Sequence, residues 1–528
     1  MDICGLLEKY GSQKGPAVFI DYNGLKITYT DIISRSYRVS RELEHAGLKR
    51  GAVCALVCYN NINFILYFAA CLKAGIIPII INPKYGNDEL QSLIDISEVK
   101  TIITDNAFAF SESSPMADGR KINIITPGLE TILTQNGGCL YSDSLNDGTL
   151  FMLVTSASGG RPKIVKKNSA ALSYQAEKLY PRIMSVNDTR YMANVPASHS
   201  YGLEFALFGS IYNGAPLYLR DFGFSSDVMD EIAFNEITHI FTIPPFILNL
   251  VNYKLSSGIG FDRLEMVVSA GMPLMSGLSE KFFCAFNFNI ASVYGITEVG
   301  CVSFNPGRRS SAENCAAINN DVGFALEGNA ITVIDDAGAA VRAVTHDVHG
   351  RLKEGDSDSI RENIGRVIIR KKIPDGGYYK FNCPEGEAKW RLGGTELETD
   401  DSGYIDPSGA LHLLARSSAF VNIGGVKVNS SDVEAFLRST GLFKDVLVFG
   451  RKDALLGEKL AAAMVVDEGS NANEDEIRGL CAKKLPPVKV PRDIYILKSP
   501  FPRTSTGKIR FDKVLKMVEE TKDSQAAE

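Results

Sequence analysis

The sequence predicts an α/β protein with a large N-terminal α/β domain and a smaller α+β C-terminal domain. A chain of 528 residues is longer than one hydrophobic core usually organises, so at least two domains are expected. Strand and helix patterns alternate through the first third, which is typical of a sheet with helices on its faces. Near residues 416–418 the pattern changes to a compact mixture of strands and helices.

The alternation begins at residues 52–59, AVCALVCY, which predict a strand. The segment INFILYFAACLKAG predicts a helix that Gly75 ends, and IIPIII then predicts a buried strand. A helix capped by Asn87 and the strand TIITD follow. Similar patterns at 268–270 and 291–295 extend the large α/β region to about residue 415.

The C-terminal part has its own set of predicted elements. The letters SDVE from Ser431 predict a capping box that opens a helix. KDVLVFG, KLAAAMVV and RDIYILK predict strands, and EDEIRGLCAKKL predicts a helix. These elements form a unit of domain size.

Composition narrows the class of protein. With 45% hydrophobic and 22% charged residues the chain is expected to fold compactly. A net charge of −6 provides no general attraction to nucleic acid or to an anionic membrane. The ten cysteines are scattered, and Cys54 and Cys58 lack C-x-x-C spacing, which favours reduced thiols and a cytoplasmic location. The N-terminal residues do not have the pattern of a signal peptide. The most apolar run, residues 63–83, is interrupted by charged and helix-breaking residues, so it predicts a buried helix followed by a buried strand and not a membrane span.

The loop VTSASGGRPKIVKKN, residues 154–168, has the residue types that a polyphosphate requires. Its glycines allow close approach of the backbone, its hydroxyls donate hydrogen bonds, and Arg161 and Lys163 add positive charge. A P-loop would continue directly into a helix, whereas KIVKKN alternates like a strand. The loop is therefore expected to join two strands and to bind an anion through its amides.

Four further motifs follow this loop in order: SAGMPL at 269–274, VYGITE at 293–298, the run 398–434, and PRTSTGKIR at 502–510. Together the five resemble the adenylate-forming superfamily of acyl- and aryl-CoA ligases, luciferases and peptide-synthetase adenylation domains. The resemblance extends over nearly the whole chain. Taken singly, an aromatic residue or a lysine in these motifs has an ordinary structural explanation, but their ordered occurrence favours ATP binding.

The resemblance implies a multi-sheet large domain at 1–415, a hinge at 416–418 and a mobile small domain at 419–528. It also implies ATP, Mg²⁺ and CoA as cofactors. In this family a carboxylate first attacks the α-phosphorus of ATP to form an acyl-AMP, and a thiol then takes the acyl group. Two anions must meet in the first step, which requires positive charge and fixed hydrogen-bond donors.

The resemblance assigns a set of residues to this chemistry. The β- and γ-phosphates would be held by Thr155, Ser156, Ser158, Gly159 and Lys163. Thr297 would donate to the α-phosphate, Glu298 would position Mg²⁺, and Lys508 would bridge the substrate carboxylate and the phosphate.

The nucleoside has its own expected contacts. Tyr294 would stack beside the adenine, in a slot lined by Gly271, Ser292 and Gly295. Asp401 would accept hydrogen bonds from both ribose hydroxyls, and Arg416 would add a further ribose contact.

The segment PASHSYGL, 196–203, discriminates between branches of the family. It lacks the Phe-Asp pair of amino-acid-activating domains, and His199 resembles the histidine that CoA ligases place between the acyl pocket and the thiol tunnel. A buried structural histidine is the alternative. Gly424 and Gly425 match the glycines that approach the pantetheine arm. The acyl pocket would be lined by His199, Tyr201, Gly202, Phe205, Ala270, Gly271, Gly295 and Gly300.

Apolar and aromatic walls without a fixed cation suit an aromatic or medium-length carboxylic acid. The function expected is an acyl- or aryl-CoA ligase that forms AMP and pyrophosphate. A ligase that loads an acyl carrier protein is the nearest alternative. The second alternative is a non-catalytic adenylate-binding protein. It is suggested by departures from the family pattern: glycines are replaced by Ala157, Ile164, Asp400 and Ala415, and a common Glu is replaced by Arg366.

Overall fold

The structure is a computed structural model of the 528-residue chain. It describes residues 1–83, 85, 87–105, 123–125, 145, 147–155, 163–184, 188–220, 226–272, 274, 277–307, 321–335, 338–341, 364–373, 376–379, 390–391, 395–406, 408–416, 420–423, 426–453, 457–467, 472–503 and 509–526.

The strands are numbered along the chain. Those of the N-terminal half are β1 (Val18–Tyr22), β2 (Leu25–Thr28), β3 (Val53–Val57), β4 (Ile77–Ile80), β5 (Thr101–Thr104), β6 (Asn123–Ile125), β7 (Thr149–Thr155), β8 (Lys163–Asn168), β9 (Tyr191–Ala193), β10 (Leu217–Leu219), β11 (His239–Thr242) and β12 (Met266–Ser269). The later strands are β13 (Ala291–Ile296), β14 (Gly300–Asn305), β15 (Phe324–Ala325), β16 (Asn329–Ile334), β17 (Gly365–Lys371), β18 (Trp390–Arg391), β19 (Glu396–Ile405), β20 (Leu411–Arg416), β21 (Phe420–Ile423), β22 (Val426–Asn429), β23 (Phe443–Asp453), β24 (Gly457–Val466) and β25 (Asp493–Ile496).

The helices are numbered in the same way. The α-helices are α1 (Ile3–Lys14), α2 (Tyr29–His45), α3 (Ile62–Ala74), α4 (Asn87–Ser97), α5 (Ser169–Leu179), α6 (Phe208–Asn213), α7 (Ser226–Phe234), α8 (Pro244–Ser257), α9 (Leu278–Phe286), α10 (Ser430–Ser439), α11 (Glu474–Lys484) and α12 (Phe511–Ala526). Tyr180–Arg182 and Pro487–Lys489 form 3₁₀ turns, and Tyr201–Leu207 forms a π-helix. Across the described ranges, no helix is both long and apolar enough to cross a membrane.

Two sheets with parallel centres form the first part of the large region. One has the order β15-β14-β13-β12-β11-β9-β10-β1-β2, and the other has the order β6-β5-β3-β4-β7-β8. Their edges are antiparallel, at β13-β14-β15, β1-β2 and β7-β8. The predicted alternation of strands and helices is therefore confirmed.

The strand β3 explains why its sequence is a continuous apolar run. Cys54 and Leu56 face one hydrophobic core, whereas Val53, Ala55 and Val57 face another. A parallel strand covered on both sides buries every residue, so its sequence does not alternate between apolar and polar positions.

Two further sheets complete the fold. One has the order β16-β17-β19-β18 with β20 added to β19, and it is antiparallel throughout its described pairings. The last sheet, β22-β21-β24-β23 with β25 on β24, contains only strands after residue 419. The change of sheet thus falls between Arg416 and Phe420, with residues 417–419 outside the described part. The predicted multi-sheet large domain and smaller C-terminal domain are both present.

The start of α10 differs from the predicted capping box. The helix begins at Ser430, one residue before the predicted cap. The Glu434 carboxylate accepts a hydrogen bond from the Val448 amide of β23 at 2.8 Å. Burial of this carboxyl group raises its pKa. Glu434 therefore ties the helix to the neighbouring strand, a tertiary contact that a local pattern does not indicate.

Gly75 ends α3 as predicted. It adopts the left-handed conformation with φ of 69°, and the Ile76 amide donates to the Cys71 carbonyl at 2.8 Å. A Cβ atom is disfavoured in this conformation, so the helix stop depends on glycine.

We expect Gly75→Ala to lower the free energy of unfolding by about 1–2 kcal/mol, because alanine is strained at a left-handed φ. Gly479→Ala is the matched control. Gly479 lies on the exposed side of α11, no described atom lies within 4 Å of the place that a Cβ atom would occupy, and alanine is expected to stabilise the helix by about 0.5–1 kcal/mol. Urea unfolding, followed by circular dichroism, measures the free energy of unfolding of both variants. A change of the same sign in the two variants would contradict this account.

Candidate active site

The turn at residues 297–299 joins β13 to β14 as a tight hairpin. The Val299 amide donates to the Ile296 carbonyl at 3.1 Å, and Gly300 follows with φ of 71°. A hairpin loop of this length needs a residue that tolerates the left-handed region at that point. Thr297 and Glu298, the residues assigned to the α-phosphate and Mg²⁺, therefore lie next to each other in a turn held by its own backbone.

Tyr378 connects Glu298 to Lys163. Its hydroxyl donates to Glu298 Oε1 at 3.1 Å, and Lys163 Nζ lies 5.4 Å from the centre of its ring. A backbone bridge between Val165 and Tyr378 holds this tyrosine against β8. The ammonium expected to bind phosphate and the carboxylate expected to hold a metal thus both contact one tyrosine.

Thr155 and Lys163 are register partners at the ends of β7 and β8. The predicted phosphate loop therefore joins two antiparallel strands, as the alternation of KIVKKN indicates. The loop itself, with Ser156, Ser158 and Gly159, lies outside the described residues.

Tyr294 and Asp401 are in direct contact. The Tyr294 hydroxyl donates to Asp401 Oδ2 at 2.6 Å, and the Asp401 amide donates to Thr399 Oγ1 at 3.1 Å. Arg416 is the register partner of Asp401 on β20, although its side chain is not described. The residues expected to contact adenine and ribose are thus brought together from β13, β19 and β20.

The other residues of the expected adenine slot lie at the ends of neighbouring strands. Ser292 is buried and pairs with Ser269, two residues before Gly271. Gly271 and Gly295 are exposed, and no described atom lies within 4 Å of a Cβ built on Gly271. The φ of 83° at Gly271 shows that the backbone conformation, and not crowding, requires glycine there.

Three of the predicted acyl-pocket residues, Tyr201, Gly202 and Phe205, lie in a π-helix. Tyr201 donates its hydroxyl to the Val268 carbonyl at 2.7 Å, and its amide lies 3.3 Å from His199 Nδ1. Burial raises the pKa of Tyr201, so the phenol stays protonated and donates. Phe205 packs against Tyr201 with 5.3 Å between ring centres. π-Helical turns are frequent at functional sites.

Small residues in and near this π-helix lie where the surrounding groups leave little room for a side chain. A Cβ on Gly202 would lie 2.2 Å from the Pro196 carbonyl oxygen, and Ala270 is buried. Gly300 is placed against Gln175 and Glu204, behind the turn. The Ser200 and Thr297 hydroxyl oxygens are 3.4 Å apart, which links this segment to the turn.

The ends of the 504–508 loop are held in the last sheet region. Arg503 and Ile509 form a backbone bridge, and the Arg510 amide donates to the Pro502 carbonyl at 2.8 Å. The buried Asp445 accepts from the Phe501 amide at 2.9 Å and pairs with Arg503. Lys508, like Gly424 and Gly425, lies outside the described residues.

The departures from the family pattern have local explanations. Ile164 is fully buried in β8, and Asp400 lies in β19. Neither is among the described non-glycine residues with positive φ, so a side chain at these positions causes no backbone strain. Arg366 forms an ion pair with Glu398.

Sequence reasoning missed three polar residues of the site: Tyr378, Lys167 and Glu204. Lys167 pairs with Glu204 at 2.9 Å, and both side chains are almost fully buried. The indication available in the sequence was a lone acidic residue within the apolar run YGLEFALFGS.

Comparison with known proteins identifies the family. The model of the AMP-binding enzyme family matches residues 7–352, and that of the AMP-binding enzyme C-terminal domain matches residues 432–508. The chain therefore belongs to the AMP-binding enzymes, the adenylate-forming family that its motifs predict.

Curated relatives of similar length are acid–CoA ligases. The oxalate–CoA ligase of Arabidopsis thaliana is 25% identical, over 96% of this chain and 97% of its own. The 4-coumarate–CoA ligase 3 of Oryza sativa subsp. japonica is 23% identical, over 94% of this chain and 88% of its own. These relatives belong to the class of enzyme that the sequence predicts.

Solved structures share the fold. The o-succinylbenzoate CoA synthetase of Bacillus subtilis, in complex with its acyl-adenylate intermediate, has a TM-score of 0.79 at 20% identity and covers 96% of this chain and 97% of its own. The amide bond synthetase McbA of Marinactinospora thermotolerans has a TM-score of 0.76 at 21% identity, and the match covers 97% of this chain and 99% of its own. Since the second enzyme forms amides, the fold alone does not determine the acceptor.

The turn offers one carboxylate, that of Glu298, to a magnesium ion. Within the described ranges, no group of three or more His, Cys, Asp or Glu could hold a metal. Mg²⁺ commonly binds through one or two carboxylates together with substrate phosphates, and Glu298 offers such a carboxylate.

We expect Asp401→Ala to raise the KM for ATP on the order of 100-fold or more, because two hydrogen bonds to a charged group are lost and each contributes about 1.5–3 kcal/mol. Tyr294→Phe is the matched control: it removes the phenol that contacts Asp401 but keeps the ring and the carboxylate, and its effect is expected to be smaller. Steady-state kinetics measure both. A parent-like KM and kcat in Asp401→Ala would show that this aspartate does not bind ribose.

Proposed function

We propose that this protein is an ATP-dependent acid–CoA ligase. It activates a carboxylic acid as an acyl-AMP with release of pyrophosphate and transfers the acyl group to the thiol of CoA with release of AMP. The observation that supports this most is the arrangement around the 297–299 turn, where Lys163, Glu298 and the Tyr294–Asp401 pair come from distant parts of the chain. Relatives over nearly the full length are CoA ligases.

In the first half-reaction the chain binds and orients two anions. Lys163 and the loop residues Thr155, Ser156, Ser158 and Gly159 bind the β- and γ-phosphates, which become the leaving pyrophosphate. Thr297 donates to the α-phosphate where negative charge develops. Glu298 would hold Mg²⁺, which would neutralise negative charge on the phosphate oxygens. A structure of the o-succinylbenzoate CoA synthetase of Bacillus subtilis contains ATP and a magnesium ion.

The nucleoside is held by groups that do not react. Asp401 accepts from the ribose hydroxyls, and the Tyr294 hydroxyl fixes the orientation of its carboxylate. Arg416 adds a second ribose contact. The ring of Tyr294 stacks on adenine between Gly271, Ser292 and Gly295. These contacts place the α-phosphorus in line with the carboxylate.

In the second half-reaction the thiol of CoA attacks the acyl carbon, the bond to AMP breaks, and the thiol proton leaves to solvent. His199 borders both the acyl pocket and the path of the thiol. Its Nδ1 accepts a hydrogen bond from the Tyr201 amide at 3.3 Å, which orients the imidazole ring. Gly424 and Gly425 allow the backbone to approach the pantetheine arm.

The substrate is an aromatic or medium-length carboxylic acid. Tyr201, Phe205 and Ala270 provide apolar walls, and the phenol of Tyr201 is already bonded to the Val268 carbonyl. The enzyme works in the cytoplasm, without a nucleic-acid partner or a membrane span. A carrier protein is the alternative acceptor, since its phosphopantetheine ends in the same thiol group.

One assay tests the acceptor and the reaction class. Purified protein, ATP, Mg²⁺ and a panel of aromatic and medium-length acids are incubated with free CoA or with a holo acyl carrier protein. We expect acid-dependent release of AMP and a thioester on free CoA. Thioester only on the carrier protein would identify the loading enzyme, and no AMP release with any acid would favour a non-catalytic adenylate-binding protein.

We expect Lys508→Ala to slow acyl-AMP formation on the order of 10²–10³-fold, because a fixed positive charge is lost beside a developing anion. Thioester formation from supplied acyl-AMP should stay near the parent rate, since the small domain then swings about residues 416–418 and moves Lys508 away.

Ser418→Pro is the complementary variant. Fixing φ at the hinge is expected to slow thioester formation and to spare acyl-AMP formation. Both half-reactions are measured on the purified protein with synthetic acyl-AMP. Equal damage to both steps in Lys508→Ala, or no effect of Ser418→Pro, would contradict two orientations of the small domain.

A further inference from the structure

A fully buried ion pair lies directly behind the 297–299 turn. Lys167 Nζ is 2.9 Å from Glu204 Oε1, with side-chain exposures of 1% and 0%. Two charges removed from water are costly, and apolar residues of similar volume often stabilise a core equally well. Stability therefore does not explain the pair, and the groups that it holds in place are the better explanation.

Lys167 also holds the backbone of the turn. Its ammonium donates to the Thr297 carbonyl oxygen at 3.0 Å, directly before Glu298. On β8, Lys167 and Lys163 are four residues apart and therefore lie on the same face of the strand. One strand thus presents one lysine towards the expected phosphate site and a second lysine to the turn that carries the expected metal ligand.

Glu204 extends the same network to the acyl-pocket segment. It lies within the π-helix that also contains Tyr201, and its Oε2 accepts from Gln175 Nε2 at 3.4 Å. The Oε1 atom of Gln175 accepts from the Cys301 amide at 2.8 Å, just beyond the turn. The network therefore contacts both ends of the turn, at the carbonyl of Thr297 and at the amide of Cys301.

The backbone of the turn is shaped to admit this network. A Cβ on Gly300 would lie 2.3 Å from Gln175 Oε1 and 2.9 Å from Glu204 Oε2. Any side chain at this position would displace the two polar groups. Gly300 is thus required both by its positive φ and by the buried polar network.

We propose that Lys167 and Glu204 are positioning residues for acyl-AMP formation. The ammonium of Lys167 fixes the Thr297 carbonyl so that the Thr297 hydroxyl and the Glu298 carboxylate face the phosphates, and Glu204 holds that ammonium in place. Neither residue touches the substrate. This inference depends on the proposed adenylation activity.

The test compares two isosteric neutralisations of buried carboxylates. Glu204→Gln weakens the pairing of Lys167. Asp21→Asn does the same to a second buried pair, Asp21–Arg220 at 2.9 Å, whose aspartate lies on β1 of the nine-stranded sheet and not next to the turn. Thermal unfolding, ATP–pyrophosphate exchange as a function of Mg²⁺, and thioester formation from synthetic acyl-AMP are measured for each. Both variants are expected to lose thermal stability.

Only Glu204→Gln is expected to lower kcat/KM for MgATP, by about 10- to 100-fold, as is usual when a partner that orients a metal ligand is lost. Its exchange rate should also need more Mg²⁺ to saturate, and thioester formation should be reduced less than exchange, since that step does not use the β- and γ-phosphates. An unchanged Mg²⁺ dependence, or equal losses in Asp21→Asn, would overturn the proposal.

A double variant, Lys167→Met with Glu204→Leu, covers the case in which Glu204→Gln does not fold. Replacing both charges by apolar groups usually preserves a core, but the Thr297 carbonyl loses its donor. The same loss of exchange activity is expected, and parent-like exchange would overturn the proposal.

Equilibrium binding of a non-hydrolysable MgATP analogue separates this inference from the proposed function. If the parent exchanges no pyrophosphate with any acid, the proposed function fails, but the analogue still reports on the site. Weaker analogue binding in the double variant than in the parent then supports positioning by the pair, and equal binding contradicts it.

Discussion

The hairpin between β13 and β14 is the constraint on which the rest of the site depends, because side-chain contacts connect it to Asp401, Lys163 and Lys167. Asp401 contacts Tyr294 within β13, and Lys163 reaches Glu298 through Tyr378. Lys167 holds the turn from behind. A turn closed by one backbone hydrogen bond and a left-handed glycine has little freedom, so residues that are far apart in sequence keep a common reference point.

The parallel sheet explains why these groups meet at one edge. The strands β9, β11, β12 and β13 are neighbours and run in the same direction, so the segments that follow them emerge together. His199 follows β9, Gly271 follows β12, and the 297–299 turn follows β13. Ligands of open α/β sheets bind at the carboxyl ends of the strands. Three of the segments identified in the sequence, PASHSYGL, SAGMPL and VYGITE, thus lie at one edge of this sheet.

The sequence predicted the elements whose cause is local. The apolar run of β3, the glycine stop of α3 and the strand after the phosphate loop depend on neighbouring residues, and the structure contains all three. Other contacts join residues that are far apart in sequence. Glu434 bonds to a strand residue 14 positions away, and Lys167 bonds to a turn residue 130 positions away. A lysine in a strand normally predicts an exposed face, so its burial could not be predicted without knowing that Glu204 faces it.

Acid-dependent exchange of labelled pyrophosphate into ATP tests the central claim most directly, because it requires the phosphate loop, the 297–299 turn and the acyl pocket together and requires no acceptor. With a panel of aromatic and medium-length acids, we expect exchange with at least one acid, and we expect its loss in Glu298→Gln. Exchange that is absent with every acid, or that persists unchanged in Glu298→Gln, would contradict the account of this site.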